Sequence, residues 1–153
     1  MQKSSHLYPL DPKKPLVHAG VRVFRDGAPE YRFLDENKQF DVTVFTAAAV
    51  KRDTLEQGAS GVKSVVLVVQ KLRAVMKDRI DWLLGTMERS GVKSVVLSAW
   101  GCGAFGLDAL EIAHLFKQRL STSTLPEVTF EVLSDHNGPN NFEVFKKLLS
   151  RGP

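Results

Sequence analysis

The nine residues at 98–106, Ser-Ala-Trp-Gly-Cys-Gly-Ala-Phe-Gly, constrain the fold of this chain more than any other feature. They follow the apolar run Val-Val-Leu at 95–97 and precede a helical pattern that begins near Asp108. Glycines at a strand-to-helix turn let backbone N–H groups point at an anion, and the start of the helix adds partial positive charge. The segment therefore predicts an anion-binding turn at the carboxyl end of a strand. A tight turn that binds no ligand is the alternative.

Strands and helices are expected to alternate along the rest of the chain. The predicted strands lie at 17–25, 41–49, 95–97 and 128–133, and the predicted helices at about 70–89, after Asp108 and after Asn140. The β-branched run at 41–49 indicates a strand buried on both faces, as in a parallel or mixed sheet. Residues 1–16 contain three prolines and are expected to form an irregular arm. The pattern favours a layered α/β architecture in a single domain over 1–153.

One heptapeptide, Gly-Val-Lys-Ser-Val-Val-Leu, occurs twice, at 61–67 and 91–97. A single match is too short to indicate a repeat architecture. The second copy precedes the glycine turn, which favours a strand. The first copy runs into a helical pattern, so residues 62–69 fit either a strand or the first turns of a helix.

Composition and charge narrow the class of protein. Hydrophobic residues make up 43% and charged residues 25%, an ordinary globular balance. The net charge of +4 favours an anionic ligand, but the basic residues are scattered, so nucleic acid is not favoured. The single cysteine excludes an internal disulfide and a multi-cysteine metal site, and no cofactor is expected. Without a signal-like or membrane-spanning segment, we expect a soluble protein of the cytoplasm or nucleus.

The segment 96–106, Val-Leu-Ser-Ala-Trp-Gly-Cys-Gly-Ala-Phe-Gly, resembles the signature of the microbial-type poly(ADP-ribose) glycohydrolases. Other blocks are similar to successive parts of that family in the same order, and they lie at 5–9, 21–26, 41–49, 76–80, 128–135 and 141–145. The resemblance covers nearly the whole chain. It implies a three-layer α/β/α macrodomain-like fold with a mixed, largely parallel sheet.

The resemblance also implies a site for ADP-ribose. Six turn residues would wrap the pyrophosphate: Gly101, Cys102, Gly103, Ala104, Phe105 and Gly106. The ring of Phe105 would close over the distal ribose. The segment after the second strand would line the floor of the site with Thr46, Ala47, Ala48 and Ala49. The loop at 134–137, with Asp135, would lie near the adenosine.

The chain departs from the family at its catalytic segment, which is a glycine-rich loop followed by Gln-Glu-Glu, just upstream of a Ser-x-Leu-Tyr-Pro block. That block begins here at Ser5, and the 153 residues contain neither Gly-Gly-Gly nor Gln-Glu-Glu. The resemblance therefore implies an N-terminally truncated module without the glutamate that acts as general acid, and no catalytic residue is assigned.

Three functions are compatible with these sequence features. The leading hypothesis is binding of ADP-ribose, of a related nucleotide diphosphate or of an ADP-ribosylated protein, without hydrolysis. An alternative is a glycohydrolase completed by a missing segment or a partner chain. The third is an interaction module that forms a homodimer or binds a partner through an exposed sheet edge or apolar face.

Other reactive side chains have simpler explanations. Cys102 could act as a nucleophile, but no histidine is fixed beside it by the sequence, and in the resembled family this cysteine is structural. Asp135-His136 could form half of an acid–base pair, although the surrounding turn residues favour a turn. Four scattered histidines and one cysteine predict no metal site. Trp82 and Trp100 are expected to be packing residues.

Overall fold

A computed structural model describes residues 11, 14–53, 62–133 and 140–150 of the chain. The chain divides into two compact units, Met1–Ala47 and Ala48–Pro153. The first contains strand β1 (Leu16–Val23), a short 3-10 helix (Glu36–Lys38) and strand β2 (Phe40–Thr46). The second contains helix α1 (Val62–Arg89), strand β3 (Ser94–Leu97), helix α2 (Ala109–Leu120), strand β4 (Glu127–Phe130) and helix α3 (Asn141–Leu149). The predicted alternation of strands and helices is therefore present.

Strands β1 and β2 form an antiparallel pair in which Leu16 lies opposite Thr46. The register shifts between His18 and Val21, where Gly20 has a φ of +68°. Such an irregularity breaks the period-two alternation of a strand. The alternation of Val17, Ala19, Val21 and Val23 in the sequence predicts a single buried apolar face for β1, and this prediction is wrong, since Val21 is 39% exposed. The expectation that the second strand is buried on both faces is also wrong, because every residue of β2 is half-buried or exposed.

Strands β3 and β4 form a parallel pair that runs in register from Ser94 opposite Glu127 to Leu97 opposite Phe130. Val95 and Leu97 are buried, whereas the intervening Val96 is 67% exposed. The strand before the glycine turn is therefore covered on one face. Together the two pairs give the described part of the chain both antiparallel and parallel strand pairing.

The repeated heptapeptide adopts two different structures. Residues 62–67 of the first copy lie in α1, and residues 94–97 of the second copy form β3. Because the residues are identical, local propensity cannot decide between the two. The first copy continues into apolar residues at helical spacing, whereas the second pairs with β4 and ends at the glycine turn. Tertiary context therefore overrides intrinsic preference at this sequence.

The buried residues of the described chain all belong to the second unit. The largest fully buried side chains come from α1 and α2, and they are Phe116, Met76, Ile80 and Leu84. Phe130 of β4 contacts Phe116 edge to face at 5.2 Å between ring centroids and Phe145 of α3 at 5.6 Å. These contacts pack α2 and α3 against the parallel strand pair.

Two sequence expectations about individual side chains are wrong. The helical spacing of Leu110, Ala113, Phe116 and Leu120 predicts that these residues are buried. Leu110 is nevertheless 50% exposed, because the buried face of α2 is formed by Ala109, Ile112, Ala113, Leu115 and Phe116. Trp82 was expected to pack in the core but is exposed on α1, where the Arg89 guanidinium lies 6.0 Å from its ring centroid.

Both predicted helix starts are capped as their sequences indicate. The Asp108 carboxylate accepts a hydrogen bond from the N–H of Glu111 at 3.0 Å, and the Asn140 side chain accepts one from the N–H of Glu143 at 3.2 Å. Such caps satisfy one of the free N–H groups at a helix start. Across the described residues, no helix is both long and apolar enough to cross a membrane.

The Glu88 carboxylate ties the end of α1 to the end of α2. It accepts hydrogen bonds from Arg119 Nη2 at 2.6 Å, from Ser123 Oγ at 2.6 Å and from the N–H of Thr124 at 3.1 Å. These donors, Arg119 first among them, lower the pKa of Glu88 to about 2. Because the carboxylate is stabilised in the folded state, its contribution is complete above its ordinary pKa of 4.5 and is lost as the pH falls toward about 2.

We expect Glu88→Gln to lower the free energy of unfolding by about 2 kcal/mol at neutral pH, because it removes a charge-assisted hydrogen-bond network. The difference from the wild-type protein should shrink as the pH is lowered from about 5 to about 2. Denaturant unfolding at several pH values measures this difference in the free energy of unfolding. Glu143→Gln, at an exposed position, is the control and should change the free energy of unfolding at neutral pH by only about 0.5 kcal/mol. A difference that stays constant over this pH range would contradict the assignment.

Candidate ligand-binding turn

The turn at 98–106 is held in one conformation by its own backbone. The N–H of Trp100 donates to the carbonyl of Ser98 at 2.7 Å, and the N–H of Cys102 donates to the carbonyl of Ala99 at 3.0 Å. At the far end, the N–H of Gly106 donates to the carbonyl of Gly103 at 2.9 Å. The segment therefore forms a series of tight turns between β3 and α2.

Four N–H groups between Gly101 and Phe105 have no acceptor within the described part of the chain. They belong to Gly101, Gly103, Ala104 and Phe105. Gly103, Ala104 and Phe105 are exposed, and Gly101 is half-buried. A cluster of unpaired backbone donors within a few residues is the arrangement that binds phosphate oxygens in glycine-rich loops.

Gly101 cannot be replaced without moving its neighbours. Its φ is +83°, and a Cβ atom at this position would lie 2.4 Å from Leu107 Cδ1 and 3.1 Å from Ala49 Cβ. Leu107 is buried, so its side chain has little room to move. The N–H of Leu107 also donates to the carbonyl of Gly101 at 3.0 Å. The start of the turn therefore packs directly against the residue that leads into α2.

Contacts from outside the turn hold two of its carbonyl groups and the segment beside it. The N–H of Arg52 donates to the carbonyl of Phe105 at 3.0 Å, and Asn141 Nδ2 of α3 lies 3.5 Å from the carbonyl of Cys102. Arg79 Nη1 of α1 donates to the carbonyl of Ala48 at 2.7 Å. These bonds leave the turn's unpaired N–H groups unobstructed while fixing the carbonyls around them.

A cavity of about 420 Å³ opens beside the turn at the carboxyl ends of β3 and β4. Its apolar lining comes from Val96, Leu97, Ala99, Val132 and Leu133. Its polar lining consists of Ser98, Glu131 and Asn141. In α/β folds the carboxyl ends of parallel strands are the usual position of a ligand. The Glu131 carboxylate can accept hydrogen bonds from the hydroxyl groups of a sugar, and the Asn141 amide can both donate and accept them.

The electrostatics assign the anion-binding capacity to the turn rather than to the start of α2. Asp108 caps α2, so its negative charge already offsets the partial positive charge there. Burial first, and then the charge of Asp108, raise the pKa of the Cys102 thiol to about 12. The thiol is therefore protonated at neutral pH, which argues against the nucleophile hypothesis. Its Sγ lies 3.9 Å from the carbonyl of Trp100.

The other residues expected from the sequence lie in different parts of the chain. Thr46 ends β2 and Ala47 closes the first unit, whereas Ala48 belongs to the second unit. Ala48 is held by Arg79, and its neighbour Ala49 lies against Gly101. Asp135 and the loop at 134–137 lie outside the described residues.

Arg79, Glu131 and Asn141 were not identified as site residues from the sequence. Arg79 lies within a block that resembles the family, but its role depends on the carbonyl of Ala48, which lies 31 residues away. Glu131 lines the cavity because it directly follows β4, which is paired with β3, and Asn141 lines it as the first residue of α3. Contacts between residues distant in the sequence bring both side chains to the turn, and no local pattern indicates them.

Known proteins were compared with the chain at three levels. No family model matches it, and no curated protein matches it. Among solved structures, the poly(ADP-ribose) glycohydrolase from Deinococcus radiodurans in complex with ADP-ribose is similar, with 25% identity and a TM-score of 0.70 over 87% of this chain and 51% of that chain. The poly(ADP-ribose) glycohydrolase from Thermomonospora curvata is 26% identical, with a TM-score of 0.68 over 87% of this chain and 46% of that chain. The chain thus spans about half the length of these relatives.

These similarities identify the class of fold. The chain has the α/β macrodomain-like fold of these glycohydrolases, as expected from the sequence. Over 87% of its length it resembles the microbial poly(ADP-ribose) glycohydrolases in both fold and sequence. The resemblance carried by the glycine turn is therefore confirmed.

Proposed function

We propose that the chain binds ADP-ribose, or a related nucleotide diphosphate, at the turn. The unpaired N–H groups of Gly101, Gly103, Ala104 and Phe105 donate to the pyrophosphate oxygens. The observation that carries this proposal is the cluster of four N–H groups without an acceptor among the described residues. Two solved relatives described above support the class of ligand: the Deinococcus radiodurans enzyme is a complex with ADP-ribose, and both are poly(ADP-ribose) glycohydrolases.

The rest of the ligand then extends from the turn. Phe105, which is 41% exposed, covers the distal ribose. The roles of Thr46, Ala47 and Ala48 at the floor of the site and of Asp135 beside the adenosine are part of this proposal and rest on the sequence resemblance alone. The net charge of +4 attracts the dianionic pyrophosphate, whereas Asp108 opposes it at short range. Binding therefore depends on the backbone donors more than on side-chain charge.

We propose that the 153-residue chain binds this ligand without cleaving it. In the resembled family the general acid is a glutamate of a Gln-Glu-Glu segment that follows a glycine-rich loop. Neither Gln-Glu-Glu nor Gly-Gly-Gly occurs in these 153 residues. Loss of general acid catalysis reduces a rate by roughly 10²–10⁴-fold. The biological partners of the chain are then free ADP-ribose or an ADP-ribosylated protein, in the cytoplasm or nucleus.

A glycohydrolase is the second candidate, because the similar solved structures are glycohydrolases. Among the described residues that line the cavity at the strand ends, Glu131 carries the acidic side chain. Release of ADP-ribose from a modified protein would establish this activity. Loss of that release in Glu131→Gln would assign the acid to this residue.

We expect calorimetric titration with ADP-ribose to show saturable binding, and titration with adenosine to show much weaker binding, because adenosine lacks the pyrophosphate. Chromatography of a separate sample, incubated with a poly(ADP-ribosyl)ated protein and no added ADP-ribose, should show no released ADP-ribose. Absence of heat at millimolar ADP-ribose, together with absence of any thermal shift, would contradict the proposed function. Equal affinity for adenosine would contradict the role of the turn.

A further inference from the structure

A short segment outside the helices and strands contacts the ligand-binding turn at two points. We call residues 48–52 the strap. A Cβ atom built on Gly101 would lie 3.1 Å from Ala49 Cβ, so a methyl group of the strap packs directly on the turn. Further along, the N–H of Arg52 donates to the carbonyl of Phe105 at 3.0 Å. The two contacts fall on the first and the last of the four residues whose N–H groups have no acceptor among the described residues.

Arg79 of α1 holds the beginning of the strap. Its Nη1 donates to the carbonyl of Ala48 at 2.7 Å, across 31 residues of sequence. A hydrogen bond from a charged donor is stronger than one between neutral groups. Burial lowers the pKa of the Arg79 guanidinium from its ordinary value of 12.5, and no carboxylate among the described residues raises it. The Ala48 carbonyl is therefore the polar partner that the described residues provide for this half-buried charge.

We propose that Arg79 is a positioning residue for ligand binding, which holds the strap and thereby fixes the turn in the conformation that presents its N–H groups to a pyrophosphate. This inference rests on the proposed function. Because the strap belongs to no helix or strand, contacts with other elements must define its path. Val50 is a second anchor, since it is buried. An apolar contact has no preferred direction, whereas a hydrogen bond fixes both distance and angle.

The effect on the ligand follows from the placement of the N–H donors. Donors that are in place before the ligand arrives bind it more tightly, because any ordering on binding is subtracted from the affinity. Without the bond from Arg79, the strap loses its polar anchor at Ala48, and Ala49 is no longer held against Gly101. The N–H groups at 101–105 then sample several arrangements, and the competent fraction falls. Arg79 thus acts through the strap, and its side chain is assigned no contact with the ligand.

Calorimetric titration of Arg79→Met with ADP-ribose tests this role in the full chain. Methionine keeps an unbranched apolar stem and has no N–H donor. We expect the Kd to rise at least about tenfold. The ratio of the variant and wild-type Kd values should not change with salt concentration, since the loss comes from the position of the turn and not from the charge of Arg79. In the ligand-free protein, the amide of Arg52 should exchange faster with solvent, because its bond to the Phe105 carbonyl is weakened.

Two further variants make the result independent of the folding of Arg79→Met. Ala49→Gly removes the methyl group that lies against Gly101 and gives the strap more backbone freedom, so we expect the Kd to rise about threefold. Arg73→Met is the matched control on the same helix. The Arg73 guanidinium lies 3.3 Å from Glu111, and its side chain is 54% exposed. This control should leave the Kd and the exchange of the Arg52 amide unchanged.

The outcomes separate the positioning role from the proposed function. A wild-type protein that does not bind ADP-ribose overturns both. Wild-type binding that is unchanged in Arg79→Met and in Ala49→Gly overturns the positioning role alone. A ratio of Kd values that approaches one at high salt also overturns it, because the charge of Arg79 would then attract the ligand directly.

Discussion

Replacing Gly103 with leucine is expected to abolish ADP-ribose binding while leaving the fold intact. A Cβ atom at Gly103 would meet nothing within 4 Å, and the φ of this residue is not in the left-handed region. The backbone therefore tolerates a side chain. That side chain would stand beside the N–H groups of Ala104 and Phe105, where the pyrophosphate oxygens are proposed to bind. We expect the affinity to fall at least about tenfold, which corresponds to about 1.4 kcal/mol.

The matched control is Gly27→Leu in the first unit. A Cβ atom at Gly27 also meets nothing within 4 Å. Both variants should unfold within about 0.5 kcal/mol of the wild-type protein, as is usual for open surface positions. Titration calorimetry and denaturant unfolding measure the two effects separately. Wild-type affinity in Gly103→Leu would show that the ligand does not approach this part of the turn.

Gly101→Ala is expected to lower the stability of the protein strongly, in contrast to Gly103→Leu, which is expected to change the affinity for the ligand. The alanine would have to adopt a φ of +83°, which costs about 1–2 kcal/mol for a residue with a Cβ atom. Its Cβ atom would also lie 2.4 Å from Leu107 Cδ1, and overpacking of this kind costs about 1–3 kcal/mol. We therefore expect a loss of about 3 kcal/mol in the free energy of unfolding.

Gly91→Ala separates the two causes. Gly91 has a φ of +66°, but a Cβ atom there would meet nothing within 4 Å. This variant should show the conformational cost alone, about 1 kcal/mol, and should bind ADP-ribose normally. Equal destabilisation in Gly91→Ala and Gly101→Ala would contradict the packing of Gly101 against Leu107.

The local features of the turn could be predicted from the sequence. Glycines between an apolar strand and a capped helix indicated its position, and Asp108 caps α2 as its spacing from Glu111 predicts. These features depend on residues a few positions apart. The expectations that failed depend on distant contacts. The irregularity at Gly20 destroys the alternation of β1, and the packing of α2 leaves Leu110 exposed.

The repeated heptapeptide shows why local sequence was insufficient. Its two copies form part of α1 and of β3, so the surrounding chain decides between helix and strand. The cavity beside the turn has the same origin. Glu131 reaches it through the pairing of β3 with β4 and Asn141 through the position of α3, and no sequence motif indicates either. The single domain, the arm at 1–16 and the roles of Thr46, Ala47 and Asp135 stay predictions.

The central claim is that unpaired backbone N–H groups of the turn bind a pyrophosphate, and amide NMR spectra recorded during an ADP-ribose titration test it most directly. We predict saturable shifts for the amide protons of Gly101, Gly103, Ala104 and Phe105, since each gains a charged acceptor. The amide proton of Gly27 serves as the reference and should not move. Saturating ADP-ribose that leaves the four turn amides unshifted would contradict the claim.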